Sequence, residues 1–195
     1  MIVTYPFALE LGVTVPTTTI TRAHDKADEL FERHASVFGD ELPIYRGHVH
    51  RVIGVVGLQC EVPAEAAVPL GVAGFFHDAG IWFDGTWDYL PPSARRATAE
   101  LGEAEAQHAE LVASMINEHH RMRRAHHDNP LVEAFRRADL TDVSAGLIGA
   151  PGASRAQFKE LVAEYPDKGF RPMLMRAFGR GLKESPARPA PMMKF

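Results

Sequence analysis

Four side chains in this sequence have the types and positions of a metal site: His48, the adjacent pair His77-Asp78, and Asp139. The pair follows the apolar run of residues 72–76, which predicts that it lies at the end of a buried helix. A buried charge without a partner is costly, or the group shifts its pKa until it is neutral. A divalent cation would satisfy these groups together, so the sequence predicts a metal held by all four.

Helical spacing indicates which histidine of residues 48–52 points inward. His48 shares a helical face with Val52, Val55 and Val56, whereas His50 falls about 160° from Val52 at 3.6 residues per turn. We therefore expect His48 to be interior and His50 to lie at the surface.

The ligand types suggest which ion would bind and what it would do. His77 and Asp78 point about 100° apart on a helix, yet both can reach one cation at its end, at about 2.0–2.2 Å if the ion is zinc. Two imidazoles and two carboxylates suit Mn, Fe, Co, Ni or Zn. Such an ion lowers the pKa of a bound water from about 15.7 toward 7, which predicts a nucleophile at neutral pH.

The order of these residues resembles the HD superfamily of metal-dependent hydrolases. The resemblance is carried by His48-x-x-Arg51-Val52, by the run into His77-Asp78-Ala79-Gly80, by His119-His120 and by Ala138-Asp139, and it covers about residues 45–144. It implies an all-helical HD-type bundle, a metal at these positions and, most often, phosphoester hydrolysis. The superfamily also includes di-iron oxygenases similar to myo-inositol oxygenase and hydratases similar to cyanamide hydratase, so the fold does not settle the reaction.

His119 and His120 bear on the number of ions. Dinuclear members of the superfamily use two further histidines between the His-Asp pair and the last aspartate to bind a second metal. The candidates here are His108 and either His119 or His120, which the pattern places on one helix about 16 Å apart. We therefore expect one ion rather than two. His119 or His120 then becomes a substrate contact or general acid beside the catalytic Asp78; a polar helix end exposed to solvent is the alternative.

The segment after the pair, residues 81–93, is rich in aromatic and acidic residues. We expect it to form the wall of a pocket for a small-molecule substrate with an apolar or planar part. Asp84 or Asp88 is a candidate general base on the metal-bound water; the alternative is a loop packed on the core, with its aspartates forming turns. The predicted substrate contacts are Trp82, Trp87, Asp88, Tyr89, Arg51 and Arg121, with an arginine suited to bind a phosphate oxygen.

Hydrophobic periodicity predicts one all-α domain, with an extended N-terminal arm through Thr19 and a Pro-rich tail over residues 185–195. The region that resembles the HD superfamily forms its core. The predicted helices are Arg22–Val37 with Thr21 as its cap, Pro43–Gln59, residues 63–79 kinked or shortened at Pro69, a helix capped by Ser93, residues 103–125, Leu131–Ala145 capped by Asn129, Arg155–Glu164 and Arg171–Lys183.

The composition of the chain indicates which classes of partner it is suited to bind. The chain of 195 residues carries a net charge of −4, which offers no electrostatic basis for general nucleic-acid binding. Cys60 is the single cysteine, so no intramolecular disulfide can form. Neither a secretory signal nor a membrane-spanning run is apparent, which predicts a cytoplasmic protein. A homo-oligomer is left open.

The favoured function is metal-dependent hydrolysis of a small-molecule phosphoester or nucleotide through a metal-activated water. The alternatives are an HD-type hydratase, a di-iron oxygenase, or a non-catalytic domain that binds a ligand and retains a metal. Neither a Gly-x-Ser-x-Gly nucleophile elbow nor a phosphate-binding Gly-rich loop occurs in the sequence.

Overall fold

The structure is a computed structural model that describes residues 18–184 and 191–193. Within those ranges no residue belongs to a β-strand, which confirms the all-α prediction. The α-helices are α1 (Thr18–Arg33), α2 (Ala35–Phe38), α3 (Leu42–Gln59), α4 (Ala67–Phe76), α5 (Gly80–Phe83), α6 (Leu90–Glu100), α7 (Ala109–Glu118), α8 (Pro130–Val143), α9 (Arg155–Glu164) and α10 (Phe170–Glu184), with 3-10 turns at Gly39–Glu41, Ala64–Ala66 and Ala106–His108.

Helix α4 is surrounded by other helices. It packs against α1, α3, α6 and α7, and each of its residues except Val68 is buried. Gly71 permits close contact with α1, because a Cβ atom there would lie 2.4 Å from the carbonyl oxygen of Ala23. Helix α4 ends at Phe76, and the His77-Asp78 pair that follows it is buried in the core.

Helices α7 and α8 complete the surroundings of this pair. Helix α7 packs against α4, α6 and α8, and α8 also packs against α3. The predicted start of α8 is confirmed: the Asn129 side chain accepts a hydrogen bond from the Leu131 amide at 3.0 Å, and Pro130 occupies the first turn. The buried face of α8 includes Phe135 and Asp139. These contacts bring the end of α7 and one face of α8 to the end of α4.

Several predicted elements agree with the structure. Helices α3 and α9 have nearly the predicted bounds, and Pro69 lies in the first turn of the shortened helix α4.

The predicted helix over residues 103–125 is wrong, because α7 spans only Ala109–Glu118. The apolar face of α7 runs from Leu111 to Ile116, and the residues beyond it offer no further apolar positions at helical spacing to bury.

The predicted capping role of Ser93 is also wrong. Helix α6 begins at Leu90 with prolines in its first turn, and Ser93 is a buried residue within the helix. Its hydroxyl oxygen accepts the Gly80 amide hydrogen bond at 3.0 Å. Ser93 therefore ties α6 to the start of α5 instead of beginning a helix.

The predicted terminal segments fall mostly outside the described residues. The arm ends earlier than expected, since α1 begins at Thr18, and residues 1–17 lie beyond the description. Of the predicted tail only residues 191–193 are described, and Met192 is buried. Among the described helices, none combines the length and apolar character required to cross a membrane.

Candidate metal centre

Five buried side chains converge where α3, α4, α7 and α8 meet. His48 comes from α3, the pair His77-Asp78 follows α4, His119 follows α7, and Asp139 comes from α8. None of the five is more than 3% exposed. Ligand atoms of His48, His77 and Asp139 lie within 4.8 Å of one another, as do those of His77, Asp78 and His119. His119, His120 and Asp139 form a third group within the same distance. The fold thus gathers the predicted ligands and brings His119 and His120 beside them.

Backbone carbonyls fix the tautomers of His77 and His119. The Nδ1–H of His77 donates to the Gly74 carbonyl oxygen at 2.7 Å, and that of His119 donates to the Ile116 carbonyl oxygen at 2.7 Å. A carbonyl oxygen only accepts hydrogen bonds, so Nδ1 carries the proton in both rings. In their neutral form both rings therefore present an Nε2 lone pair toward the centre, the usual arrangement of metal-binding histidines.

A carboxylate performs the same task for His48. The Nδ1–H of His48 donates to Asp142 Oδ2 at 2.7 Å. Asp142 is held in turn by Arg51, whose Nε and Nη2 donate to its two oxygens at 2.6 and 2.8 Å. A carboxylate that orients a ligating imidazole also increases its basicity. His48 is thereby oriented with Nε2 facing His77.

The separations between the inward-facing atoms suit two ligands of one ion. His48 Nε2 and His77 Nε2 are 2.9 Å apart, and His48 Nε2 lies 3.4 Å from Asp139 Oδ1. Two ligands that bind an ion at about 2.1 Å and meet at a right angle are about 3.0 Å apart. A contact this short between two Nε2 atoms requires a positive charge between them, which a proton on one ring or a metal ion would supply.

Orphaned polar atoms provide an independent test of whether a metal fits. Asp78 Oδ1, His119 Nε2 and Asp139 Oδ1 are buried and have no hydrogen-bond partner among the described residues. Buried polar atoms nearly always have a partner, and each exception requires an explanation. Two further atoms of this kind among the described residues, His24 Nε2 and Arg171 Nε, lie away from the centre. The three at the centre are grouped where one bound cation would satisfy them. The residues present therefore fit a metal ion.

The charges of the site also favour a cation. Asp78, Asp139 and Asp142 are buried carboxylates, and Arg51 is the buried guanidinium paired with one of them. Together these four groups carry two negative charges, which a divalent cation would neutralise. Burial lowers the pKa of His48, yet the carboxylates of Asp139 and Asp142 prevail and raise it to about 9, so His48 is protonated at neutral pH when no metal is bound. A metal ion would take the place of the Nε2 proton of His48.

The carboxyl of Asp78 responds to the same surroundings. Burial raises its pKa, but the imidazoles of His77 and His119 outweigh burial and hold the pKa well below its usual range. Asp78 Oδ2 lies 3.6 Å from His77 Nε2, and Asp78 Oδ1 lies 3.3 Å from His119 Nε2. Asp78 is thus an ionised carboxylate with one oxygen toward each histidine, as a metal ligand requires.

A cavity of about 600 Å³ opens onto the centre. Asp78, His119, His120 and Asp139 form its polar end. The other described residues that line it are Trp87, Tyr89, Arg121, Met122, Arg137, Leu140, Val143, Ile148, Leu174, Met175, Met192 and Met193. The candidate metal centre is therefore accessible to a small molecule from one side.

His120 occupies a different position from His119. Its side chain is 20% exposed, and its Nε2 lies 2.5 Å from the Tyr89 hydroxyl oxygen. Its Nδ1 is 4.0 Å from Asp139 Oδ2. Burial, together with His119, lowers the pKa of His120 to about 4, so the ring is neutral. Burial and the nearby Asp78 carboxylate raise the pKa of Tyr89, whose hydroxyl connects His120 to Asp78.

The predicted substrate-binding segment is divided by the fold. Trp87 and Tyr89 line the cavity, whereas Trp82 does not lie among the described lining residues. The Trp82 indole N–H donates to Glu41 at 2.8 Å, and the ring packs against Tyr45. Trp82 is thus part of the core packing, as the alternative interpretation of this segment expected.

The two aspartates of that segment are also outside the described cavity lining. Asp84 accepts two hydrogen bonds from Arg96, each 2.9 Å, and this ion pair lies at the surface. The amide of Asp88 donates to the Thr86 hydroxyl in a short turn. Neither carboxylate therefore lies among the described residues that line the cavity beside the candidate metal centre.

Arg121 and Arg51, both predicted substrate contacts, are in different places. Arg121 lines the cavity and donates to Glu118 at 2.5 Å. Arg51 is fully buried away from the described lining, and it also donates to the Tyr165 carbonyl oxygen at 2.8 Å. Arg51 therefore contacts Asp142, which in turn contacts His48, and it lies outside the described lining of the cavity.

The prediction that His50 lies at the surface is wrong. His50 is 3% exposed, its Nε2 donates to Asp28 at 2.6 Å, and its ring stacks on Tyr165 with centroids 4.7 Å apart. Helix α3 is buried on nearly all sides, because α1, α8 and α9 pack against different faces of it. A helix with several buried faces carries no single apolar stripe from which exposure can be inferred.

Two residues important to the centre were missed in the sequence. Asp142 lies three residues after Asp139, a spacing that places both on one helical face and could have indicated its role. Tyr45 is the second, and it contacts the segment from Phe75 to Asp78 at the end of α4. Its hydroxyl donates to the Phe75 carbonyl oxygen at 2.8 Å and accepts from the Asp78 amide at 3.2 Å. Nothing in the local sequence indicates this contact, which joins α3 to the end of α4.

Comparisons with known proteins leave the chain without a matched relative. No protein-family model, curated protein or solved structure matches it. What stands on the structure alone is an all-α fold whose buried histidines and aspartates could hold a metal ion. Any assignment of function must therefore proceed from the chemistry of the centre.

Proposed function

We propose that this protein is a metal-dependent hydrolase of the HD superfamily that cleaves a small-molecule phosphoester. One observation carries the proposal: the Nε2 atoms of His48, His77 and His119 and the carboxylate oxygens without hydrogen-bond partners converge on one centre. The Nδ1–H of each of these rings donates to an acceptor outside the centre. This pattern is typical of metal ligands with their supporting hydrogen bonds. The order of the residues in the chain, which resembles the HD superfamily, supports the same proposal.

His48, His77, Asp78 and Asp139 would hold the ion, and His119 is a fifth donor. All five are side chains on helices or helix ends, which keep their positions rigid. A divalent transition metal bound there lowers the pKa of a coordinated water toward 7 and so supplies a nucleophile at neutral pH. We propose one ion as the working stoichiometry, with Mn, Fe, Co, Ni and Zn as candidates for this mixture of nitrogen and oxygen donors.

The chain's own groups would orient the substrate. In hydrolysis a phosphorus–oxygen bond to water forms, the phosphorus–oxygen bond to the alcohol breaks, and the alcohol oxygen ends with a proton. His120 lies on the open side of the centre, where its imidazole can donate a hydrogen bond to an oxygen of the substrate. The contact between Tyr89 and Nε2 holds the His120 ring in place. Arg121 on the cavity wall adds positive charge for a phosphate oxygen.

A metal inventory combined with an activity panel tests the proposal. Protein purified without chelator is analysed for bound metals, then assayed with each candidate metal on p-nitrophenyl phosphate, bis-p-nitrophenyl phosphate and nucleotides. We expect about one transition metal per chain and metal-dependent hydrolysis. Asp78→Asn and Asp139→Asn should lose both, whereas Glu100→Gln, which alters a carboxylate paired with Lys26 and Arg33, should keep both.

Other results would replace the proposal with a named alternative. About two irons per chain with oxidation of substrate would indicate the oxygenase, and turnover of nitriles without phosphoester cleavage would indicate the hydratase. Bound metal with no turnover on any panel would indicate a ligand-binding domain. Full metal occupancy in Asp78→Asn would contradict the ligand assignment itself.

A further inference from the structure

The cavity beside the metal centre is polar at one end and apolar elsewhere. Leu140 and Val143 of α8 and Leu174 of α10 are among its walls, and Trp87 adds an aromatic face. Beyond the metal-facing residues, the described lining offers few polar side chains. A molecule in this cavity would meet the centre with one end and apolar surface along its length.

The apolar character continues to the mouth. Met122, Ile148 and Met175 line the cavity and are 55%, 44% and 68% exposed. Large exposed apolar side chains grouped at one opening mark a surface that meets an apolar ligand. Met192 and Met193 contribute two further thioether side chains to the lining. Methionine is flexible and polarisable, so such a wall adapts to apolar groups of different shape.

The two arginines on the wall already have hydrogen-bond acceptors. Arg121 donates to Glu118, and Arg137 donates to the Gly149 carbonyl oxygen. A nucleoside placed along this wall would bury its base and sugar edges against methionine and leucine, with a loss of their hydrogen bonds to water. An alkyl chain or an unsubstituted ring has no hydrogen bonds to water to lose, and its burial in the cavity is favourable because apolar surface is removed from water.

We propose that the substrate of this centre is a phosphoester of an apolar alcohol, with the phosphate at the metal and an alkyl or aryl group along the cavity to its mouth. The proposal rests on the proposed function for the identity of the head group. It assigns specificity to the apolar wall, in particular to Leu140, Val143 and Met175. Nucleotides are correspondingly poor substrates, because the wall provides no edge-specific hydrogen bonds for a base.

A chain-length series tests this proposal by binding as well as by turnover. Calorimetry on the metal-loaded protein measures the Kd of non-hydrolysable n-alkylphosphonates from methyl to octyl, and kcat/KM is measured for the matching n-alkyl phosphates. Burial of each methylene should tighten binding by about fourfold until the chain reaches the mouth. Adenosine monophosphate should bind no better than methylphosphonate.

Two exposed residues of α10 provide a matched pair of variants. Met175→Gln, at the mouth, should reduce the gain in affinity per methylene for the longest chains and leave methylphosphonate binding unchanged. Leu182→Gln changes another exposed apolar residue of α10, outside the described cavity lining, and should bind the whole series as the wild type does. Equal effects of the two substitutions would overturn the assignment of the wall.

The outcomes separate this inference from the proposed function. Chain-length-dependent binding without hydrolysis of any phosphoester would support the apolar substrate and overturn the phosphohydrolase. Hydrolysis of nucleotides with affinities independent of alkyl chain length would support the phosphohydrolase and overturn the apolar substrate.

Discussion

Asp142 accepts the Nδ1–H of His48 at 2.7 Å, and neither residue is exposed to solvent. The same carboxylate receives two hydrogen bonds from Arg51, so one buried aspartate connects a cationic side chain to a candidate metal ligand. Residues that orient a ligating imidazole in this way control the affinity of the metal, although they do not touch it. This relationship leads directly to the first prediction.

Asp142→Asn should weaken metal binding by about 10- to 100-fold, because the amide leaves His48 without its charged acceptor. The dissociation constant is measured by competition with a chromophoric chelator, at a temperature where circular dichroism shows the variant folded. Glu100→Gln serves as the control, since Glu100 pairs with Lys26 and Arg33 and not with a candidate ligand. Wild-type affinity in Asp142→Asn would contradict the role of Asp142 in supporting a ligating His48.

His119 and His120 should respond differently to substitution. His119→Gln should weaken metal binding by at least about tenfold, because His119 Nε2 faces the centre as an unpaired lone pair. His120→Gln should keep the metal and lower kcat by about 10- to 100-fold, because it removes the hydrogen-bond donor on the cavity side. Metal content by mass spectrometry and steady-state kinetics on the same preparations distinguish the two. Loss of metal from His120→Gln alone would exchange their roles.

Tyr45→Phe should reduce both stability and metal affinity. The substitution leaves the buried Asp78 amide and Phe75 carbonyl without the hydroxyl that bonds both, at a cost of about 1–3 kcal/mol. The free energy of unfolding is measured in urea, with metal affinity measured in parallel. Tyr165→Phe is the matched control: it removes a hydroxyl next to His24, so metal affinity should stay unchanged. Equal metal affinities in the two variants would contradict the positioning role of Tyr45.

His24 should make the fold sensitive to acid. Burial, followed by the nearby His50, lowers the pKa of His24 to about 3 against the opposing effect of Asp28. The unfolded chain binds this proton near the ordinary pKa of about 6.5. Between these values the unfolded state carries more protons, so the free energy of unfolding falls as pH is lowered. At pH 4.5 the loss attributable to His24 should be about 2 kcal/mol.

Urea unfolding of His24→Gln at pH 7 and at pH 4.5 checks this prediction. The variant should lose less stability between the two pH values than the wild type does. His126→Gln alters an exposed histidine and should show the wild-type difference. A loss in His24→Gln as large as that of the wild type would assign the acid sensitivity to other groups.

Much of the fold could be predicted because local signals specify helices. The apolar run of α4, the Asn129-Pro130 start of α8 and the bounds of α9 follow from residues close together in the sequence, and these elements form as expected. The predictions were wrong for residues that are buried by contacts with other helices. His50 lies on a helix with several buried faces, and Ser93 serves a distant amide instead of its own helix.

The sequence by itself determined the candidate ligands, since their types, order and helical setting depend on residues close together in the chain. Only the tertiary structure decided what surrounds them: the addition of His119, the support from Asp142 and Tyr45, and the division of residues 81–93 between core, surface and cavity. These contacts join side chains far apart in sequence, and their geometry follows from how helices pack. Periodicity reports which face of a helix is buried, but it carries no information on which other helix that face will meet.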